Sequence, residues 1–445
     1  MECDLLIRGG ICVTPNGIGE ADIAVRGGRI AALGSLANAK AAEVFEAKGL
    51  HVLPGVIDTQ VHFREPGNER KEDLESGSRA AVLGGVTAVF EMPNTNPPTT
   101  TRIAIEDKFA RAAGRMHCDH AFYVGATPGN LGALGMLEQM PGVAGVKAFL
   151  GSSTGTLLLN REEDIVTAFK AGRRRMAVHS EDEARLRERK DPAVRGDPRS
   201  HTFWRDVETA RLSTERVLRL ARAAGRRVHV LHVTTEEELP LLADARDFAT
   251  VETTPQHLTL AAPECYERLG TYAQMNPPIR ESRHREALWR AVNEGLVDVI
   301  GSDHAPHTRE EKEKTYPDTP SGMPGVQTLV TILLDHVNAG RLSLERFVDL
   351  TSAGAARIFG IAGKGRSARG CDADFTIVDM NAKRKIENSW IASKCGWTPF
   401  DGITTTGWPV ATIIRGQTVM RDGSLAAEGQ GEPVRFVETL LSSSG

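Results

Sequence analysis

Four polar residues of different chemistry alternate in one short stretch. In Asp58-Thr59-Gln60-Val61-His62-Phe63-Arg64-Glu65-Pro66-Gly67, residues Asp58, Gln60, His62 and Arg64 have the same parity. The residues before them, Leu53-Pro54-Gly55-Val56-Ile57, are small and apolar and suit a buried parallel strand. Side chains of one parity leave a strand on one face. If the extended conformation continues, the run presents a carboxylate, a carboxamide, an imidazole and a guanidinium together. Burying that face costs desolvation free energy unless the groups are bound, and a metal ion with an anionic substrate would satisfy them. Glu65-Pro66-Gly67 then ends the strand.

Further apolar runs each deliver a polar residue at or just past their ends: Asn94, Lys147, His179, His232 and Asp303. Taken singly these say little, because a histidine after an apolar run is as readily a hydrogen-bonded structural residue as a ligand. His229 is such a residue. Three positions before His232, it must face the other way and is expected to be structural. Together, imidazoles and a carboxylate match the donor set of a hydrolytic divalent metal site. Lys147 is out of place among cation ligands. A buried lysine beside a metal would lose its proton, and the neutral amine can combine with carbon dioxide to give a carbamate, an anionic bridging ligand. An ion pair with Asp303 is the alternative for Lys147.

These residues converge only if the strands carrying them lie side by side. Eight strands are expected, at the run ending in Ile57 and at 85–92, 119–125, 143–149, 175–179, 227–232, 250–254 and 297–302. Helices are expected between them at 72–83, 103–113, 162–171, 214–224 and 285–293, most ending at a glycine. This alternation predicts an α/β fold, a (β/α)8 TIM-like barrel, whose active site lies at the carboxyl ends of the strands. A doubly wound sheet is the competing architecture, and no G-x-G-x-x-G follows any strand. Helices at 327–338 and 344–359 follow the barrel. Before and after it the chain reads as short strands with glycine turns: 4–7, 12–14, 23–25, 29–33 and 44–45, then 373–379, 410–414 and 418–420. The expected organisation is a small β-sandwich domain built from both chain ends, 1–52 and 365–445, beside a hydrolase barrel at 53–364.

Composition narrows the classes further. A formal net charge of −4 over 445 residues argues against a nucleic-acid partner. The one basic run, Arg173-Arg174-Arg175, follows Gly172 and is expected to complement a helix end. Six scattered cysteines with no C-x-x-C pair read as free thiols in a reducing cytoplasm. No apolar stretch approaches the roughly 20 residues of a membrane span, and none reads as a signal peptide.

The motifs carry a family resemblance. Asp58 to Gly67, Glu91-Met92-Pro93-Asn94-Thr95, Gly145-Val146-Lys147-Ala148-Phe149, Val230-Leu231-His232-Val233, Met275-Asn276-Pro277-Pro278-Ile279-Arg280 and Ser302-Asp303-His304-Ala305-Pro306-His307 together resemble the dihydroorotases of the amidohydrolase superfamily. The resemblance spans the whole chain, although two of the motifs recur in hydantoinases and allantoinases. It implies zinc-dependent, reversible hydrolysis of (S)-dihydroorotate to N-carbamoyl-L-aspartate in de novo pyrimidine biosynthesis. It implies His62, carboxylated Lys147, His179, His232 and Asp303 as metal ligands, with Asp303 also the catalytic proton carrier. Arg64, Asn94 and His307 would hold the substrate carboxylate, and Asn276 would contact the ring. One position departs: the family pattern His-x-His reads Gln60-Val61-His62 here. A carboxamide is a weak zinc ligand, so one tight Zn2+ site and a second, partly occupied one are expected, with carbon dioxide consumed at Lys147. The resemblance further implies a homo-oligomer, dimer or tetramer. Alternatives are an allantoinase- or hydantoinase-type enzyme, or an inactive homologue acting as a scaffold for aspartate transcarbamoylase.

Overall fold

The computed structural model describes residues 1–153, 157–190, 195–426 and 428–440. Eight parallel strands follow one another in chain order: Val56–Val61, Val86–Glu91, Asp119–Gly125, Val143–Phe149, Met176–His179, Val228–Val230, Ala249–Thr253 and Val299–Ile300. They curl into a nearly closed barrel. At the seam Val61 bridges to His304 in parallel, and His62 N donates to His304 O at 2.7 Å. Helices Leu74–Leu83, Arg102–Ala112, Leu134–Leu137, Glu162–Lys170, Val207–Ala224, Glu238–Ala243, Ser282–Asn293 and Leu329–Asn338 follow the successive strands.

The strands are buried on both faces because helices cover the outside and side chains fill the inside. Within the barrel Phe90 packs edge-to-face on Phe359 and Phe436, with ring centroids 5.3 and 5.7 Å apart. Phe436 gets there because the chain returns after its last strands: His120 N donates to Glu432 O and Val434 N to His120 O, at the start of the third barrel strand.

The end segments form one nine-stranded sheet. Its two halves join where His51–Pro54 pairs antiparallel with Phe375–Lys385, Val52 opposite Ile377, and parallel with Glu2–Thr14. Leu53 and Pro54 therefore belong to this sheet and not to the first barrel strand. Gly55 separates the two, and a Cβ there would lie 2.4 Å from Thr87 Oγ1. Between the expected strands 4–7 and 12–14, Gly9-Gly10 does not form the expected turn. Glu2–Thr14 is one strand, and the glycines mark a register shift in its pairing with Gly17–Arg26, a bulge for which Gly9 adopts a φ of 66°.

Other boundaries moved for local reasons. The long helix after the fifth strand starts at Val207 and not at Thr214, because Asp206 caps it by accepting from Thr209 N at 3.0 Å. The expected helix 344–359 is two α-helices, Leu344–Val348 and Gly354–Phe359, joined by a π-turn. Arg173-Arg174-Arg175 follow the helix Glu162–Lys170; buried Arg174 donates to Glu138 O at the end of the short helix Leu134–Leu137, and Arg175 donates to Val228 O and Phe248 O, in and just before the next two strands.

Candidate active site

One pocket opens at the carboxyl ends of the strands. Its wall includes Gln60, His62, Arg64, Asn94, Lys147, His179, His232, Asn276 and Asp303. Of the ten residues expected to bind metal or substrate, only His307 stands off the wall. Asp58, the first of the alternating set, lies deeper, where its Oδ1 accepts from Ser302 N at 2.9 Å and Gln60 N at 3.2 Å. Burial pushes its carboxyl up to about 7. It ties the first strand to the eighth and does not face the pocket.

The extended conformation ends at Val61, so Arg64 does not reach the pocket by strand alternation. Its backbone is left-handed, with a φ of 65°, and His232 and Asp303 are left-handed too, at 39° and 44°. Three of the five described non-glycine residues with positive φ are thus pocket residues, each just past a strand that stops short of it. These turns aim the side chains across the barrel mouth.

Two facing pairs of donors define the polar floor. His62 Nδ1 lies 2.7 Å from Asn94 Oδ1 and its Nε2 3.2 Å from Asp303 Oδ1. Since Asn94 Oδ1 only accepts, Nδ1 carries the hydrogen and the Nε2 lone pair faces a carboxylate oxygen. His179 Nε2 donates to Glu181 Oε2 at 2.8 Å, so its Nδ1 lone pair faces His232 Nε2 at 3.0 Å. His232 Nδ1 is buried without a hydrogen-bond partner. Burial holds all three imidazoles below the usual histidine range, that is, neutral. Burial alone would raise Glu181, but Arg205 and the bond from His179 outweigh it and hold the carboxyl at about 2. Glu181 is the ion that fixes the His179 tautomer, an outer partner typical of metal-ligating histidines. The sequence carries a signal for it, a carboxylate two residues after a strand-end histidine.

Lys147 Nζ is buried, has no hydrogen-bond partner and lies 4.5 Å from the Phe149 ring centroid. Burial lowers its pKa to about 7, against the pull of Asp303 and Glu252. It makes no ion pair with Asp303 among the described residues, so that alternative for Lys147 does not hold. Gln60 Nε2 donates to Asp303 Oδ1 at 3.0 Å and its buried Oε1 has no hydrogen-bond partner. Asn276 Oδ1 accepts from His201 Nε2 at 2.9 Å, which orients the amide at the pocket rim.

Arg64 is 3 % exposed, yet no carboxylate pairs with it among the described residues. Its Nε donates to Pro306 O at 3.2 Å and its Nη2 lies 3.4 Å from His307 Nε2. Burial lowers its pKa to about 10, still charged at neutral pH. His307 lies behind Arg64 and donates from Nε2 to Ser321 O at 3.1 Å. His229 bonds Thr250 Oγ1 at 2.8 Å inside the barrel and does not line the pocket, as expected of a structural residue.

No three His, Cys, Asp or Glu side chains form a complete cation cage among the described residues. The donors nonetheless fit a cation: His62 Nε2 turns a lone pair toward a carboxylate oxygen, His179 Nδ1 turns one toward His232, and an unpartnered amine shares the pocket.

Family models match at residues 49–130, "Dihydro-orotase-like", and 212–419, "Amidohydrolase family". A dihydroorotase of Halobacterium salinarum is 38% identical, covering 93% of this chain and 96% of its own. An allantoinase of Solibacter usitatus is 35% identical, covering 100% and 99%. The solved L-hydantoinase of Arthrobacter aurescens superposes with a TM-score of 0.93 at 31% identity, covering 97% of this chain and 100% of that one. Barrel, pocket and likeness along almost the full length place the chain in the amidohydrolase family, as a dihydroorotase-like cyclic amidohydrolase enzyme.

Proposed function

We propose that this enzyme is a zinc-dependent dihydroorotase, hydrolysing (S)-dihydroorotate reversibly to N-carbamoyl-L-aspartate in pyrimidine synthesis. The observation that carries the reading is Arg64, a buried guanidinium on the pocket wall with no carboxylate partner among the described residues. A buried cation is stable when an anion accompanies it, and a carboxylate on the substrate ring supplies one; allantoin and unsubstituted hydantoin carry none. Six unpaired cysteines suit a reducing cytoplasm.

His62, Lys147, His179, His232 and Asp303 would hold the metal, with Lys147 as a carbamate. Its near-neutral amine is suited to this: the Nζ lone pair bonds to the carbon of carbon dioxide and one proton leaves. Bound there, a divalent ion would polarise the ring carbonyl and make water nucleophilic near neutral pH. Asp303 takes the proton from the attacking water and gives it to the departing ring nitrogen. Arg64 and Asn94 grip the carboxylate and Asn276 contacts the ring, so the carbonyl is presented in one orientation. Gln60 turns its N–H toward Asp303, which favours one tight zinc and a weak second position.

The test is turnover of dihydroorotate, hydantoin and allantoin by one preparation, with its zinc content measured. Strong preference for dihydroorotate with about one zinc per chain is expected, and equal or better turnover of an uncharged ring would refute the reading.

A further inference from the structure

Behind Arg64 a line of side chains leads away from the pocket. His307 Nε2 gives its hydrogen to Ser321 O, and Ser321 lines the pocket. The other ring nitrogen, Nδ1, lies 3.1 Å from Lys71 Nζ, so it accepts from the ammonium. Lys71 also pairs with Glu311 at 3.2 Å, and Glu311 is shared with Arg70. Burial, with Arg64, Lys71 and Lys312 nearby, keeps His307 neutral even though Glu311 pulls the other way. The ammonium at Nδ1 favours the tautomer that holds Ser321 O over the other, in which Nδ1 would donate to Glu311 Oε2, 3.6 Å away, and Nε2 would accept from Arg64 Nη2 at 3.4 Å. Glu311 faces two cations, Arg70 and Lys71, and no carboxylate pairs with Arg64 among the described residues.

We propose that Lys71, which does not itself line the pocket, is a positioning residue for the ring carboxylate. It favours the His307 tautomer that holds the Ser321 carbonyl and packs against Arg64, and it adds its charge to the field there. The proposal rests on the reading of Arg64 as the carboxylate anchor.

The experiment compares Lys71→Met, Lys71→Gln and Lys71→Arg with the wild type, in the metal-loaded full chain. KM and kcat are measured for dihydroorotate and for uncharged dihydrouracil, and the affinity for orotate is measured by calorimetry. Removing the charge should raise KM for dihydroorotate and weaken orotate binding about tenfold, the scale of one charge interaction across a few ångströms of protein. The kcat for dihydroorotate and the kcat/KM for dihydrouracil should stay within about threefold, and Lys71→Arg should recover most of the loss. An equal loss on both rings without rescue by arginine would make Lys71 merely structural and overturn the proposal. A wild type that prefers the ring acid, combined with an unchanged KM in Lys71→Met and Lys71→Gln, would overturn the role of Lys71 alone. A wild type indifferent to the carboxylate would overturn the Arg64 reading and this proposal with it.

Discussion

Substrate choice turns on Arg64, and the argument is one of geometry as much as of charge. A guanidinium can bind a carboxylate through two parallel N–H bonds, which fixes the ring as well as attracting it, whereas an ammonium is a point charge. Arg64→Lys should therefore lower kcat/KM for dihydroorotate by about 30- to 100-fold, roughly 2–3 kcal/mol of transition-state stabilisation. Near-normal kinetics in that variant would mean that the carboxylate is held elsewhere. Asp303 is contacted by Gln60 and His62 and is the one pocket carboxylate of the donor set, so Asp303→Asn should keep zinc at the better site while losing most turnover. Metal analysis beside the assay separates these two effects. Lys147→Ala should lose both zinc and activity, with partial rescue by short carboxylic acids; an active, zinc-replete variant would refute the carbamate. At this scale the sequence was informative, because a polar residue ending an apolar run is conspicuous by its type. What stayed hidden was conformation and the outer layer. The left-handed turns at Arg64, His232 and Asp303 carry no sequence mark, and Glu181 and Lys71 resemble ordinary surface charges until the fold buries or half-buries them.

The elements hold these residues in register, and their junctions are where an apolar pattern is least informative. Alternating apolar runs and glycine stops revealed the barrel strands and most of the helices. The breaks at Gly55 and Gly9-Gly10 were not legible, because a glycine that breaks a strand and one that bulges it look alike in a sequence. The link between barrel and end sheet is also electrostatic, which no hydrophobic pattern records. Lys364 Nζ lies 2.6 Å from Asp119 Oδ2 at the start of the third barrel strand and 2.5 Å from Asp374 Oδ2 beside the end sheet. Burial would lower the Lys364 pKa, but the carboxylates outweigh it and raise the value above that of free lysine. Taking the cation away leaves buried carboxylates facing one another, a loss of about 3–5 kcal/mol. Lys364→Met should shift the denaturant midpoint accordingly, and an unchanged midpoint would show that Arg415, which also pairs with Asp119, suffices alone.

For the whole molecule the buried histidines outside the candidate metal ligands set the acid limit of the fold. Burial lowers His120, His257 and His336 to about 4 and His201 to about 3, against an unfolded value near 6.5. Their folded pKa values lie below the unfolded ones. Above about 6.5 both states are neutral and the stability is fully present; as pH falls toward about 4 the unfolded chain takes up protons that the folded chain refuses, and stability is lost. Each such histidine removes about 2 kcal/mol between pH 7 and pH 5. The urea midpoint should therefore drop over that interval even with the zinc site kept saturated. His120 is the cleanest probe, since its ring packs 5.4 Å from Phe122 and 6.1 Å from Phe109, and its Nδ1 has no hydrogen-bond partner. His120→Phe keeps the aromatic packing and removes the titration, so its stability should fall less than that of the wild type from pH 7 to pH 5, by about 2 kcal/mol. Equal pH dependence in the two proteins would mean that His120 is protonated in the folded state, and the acid limit would then have to come from the carboxylates.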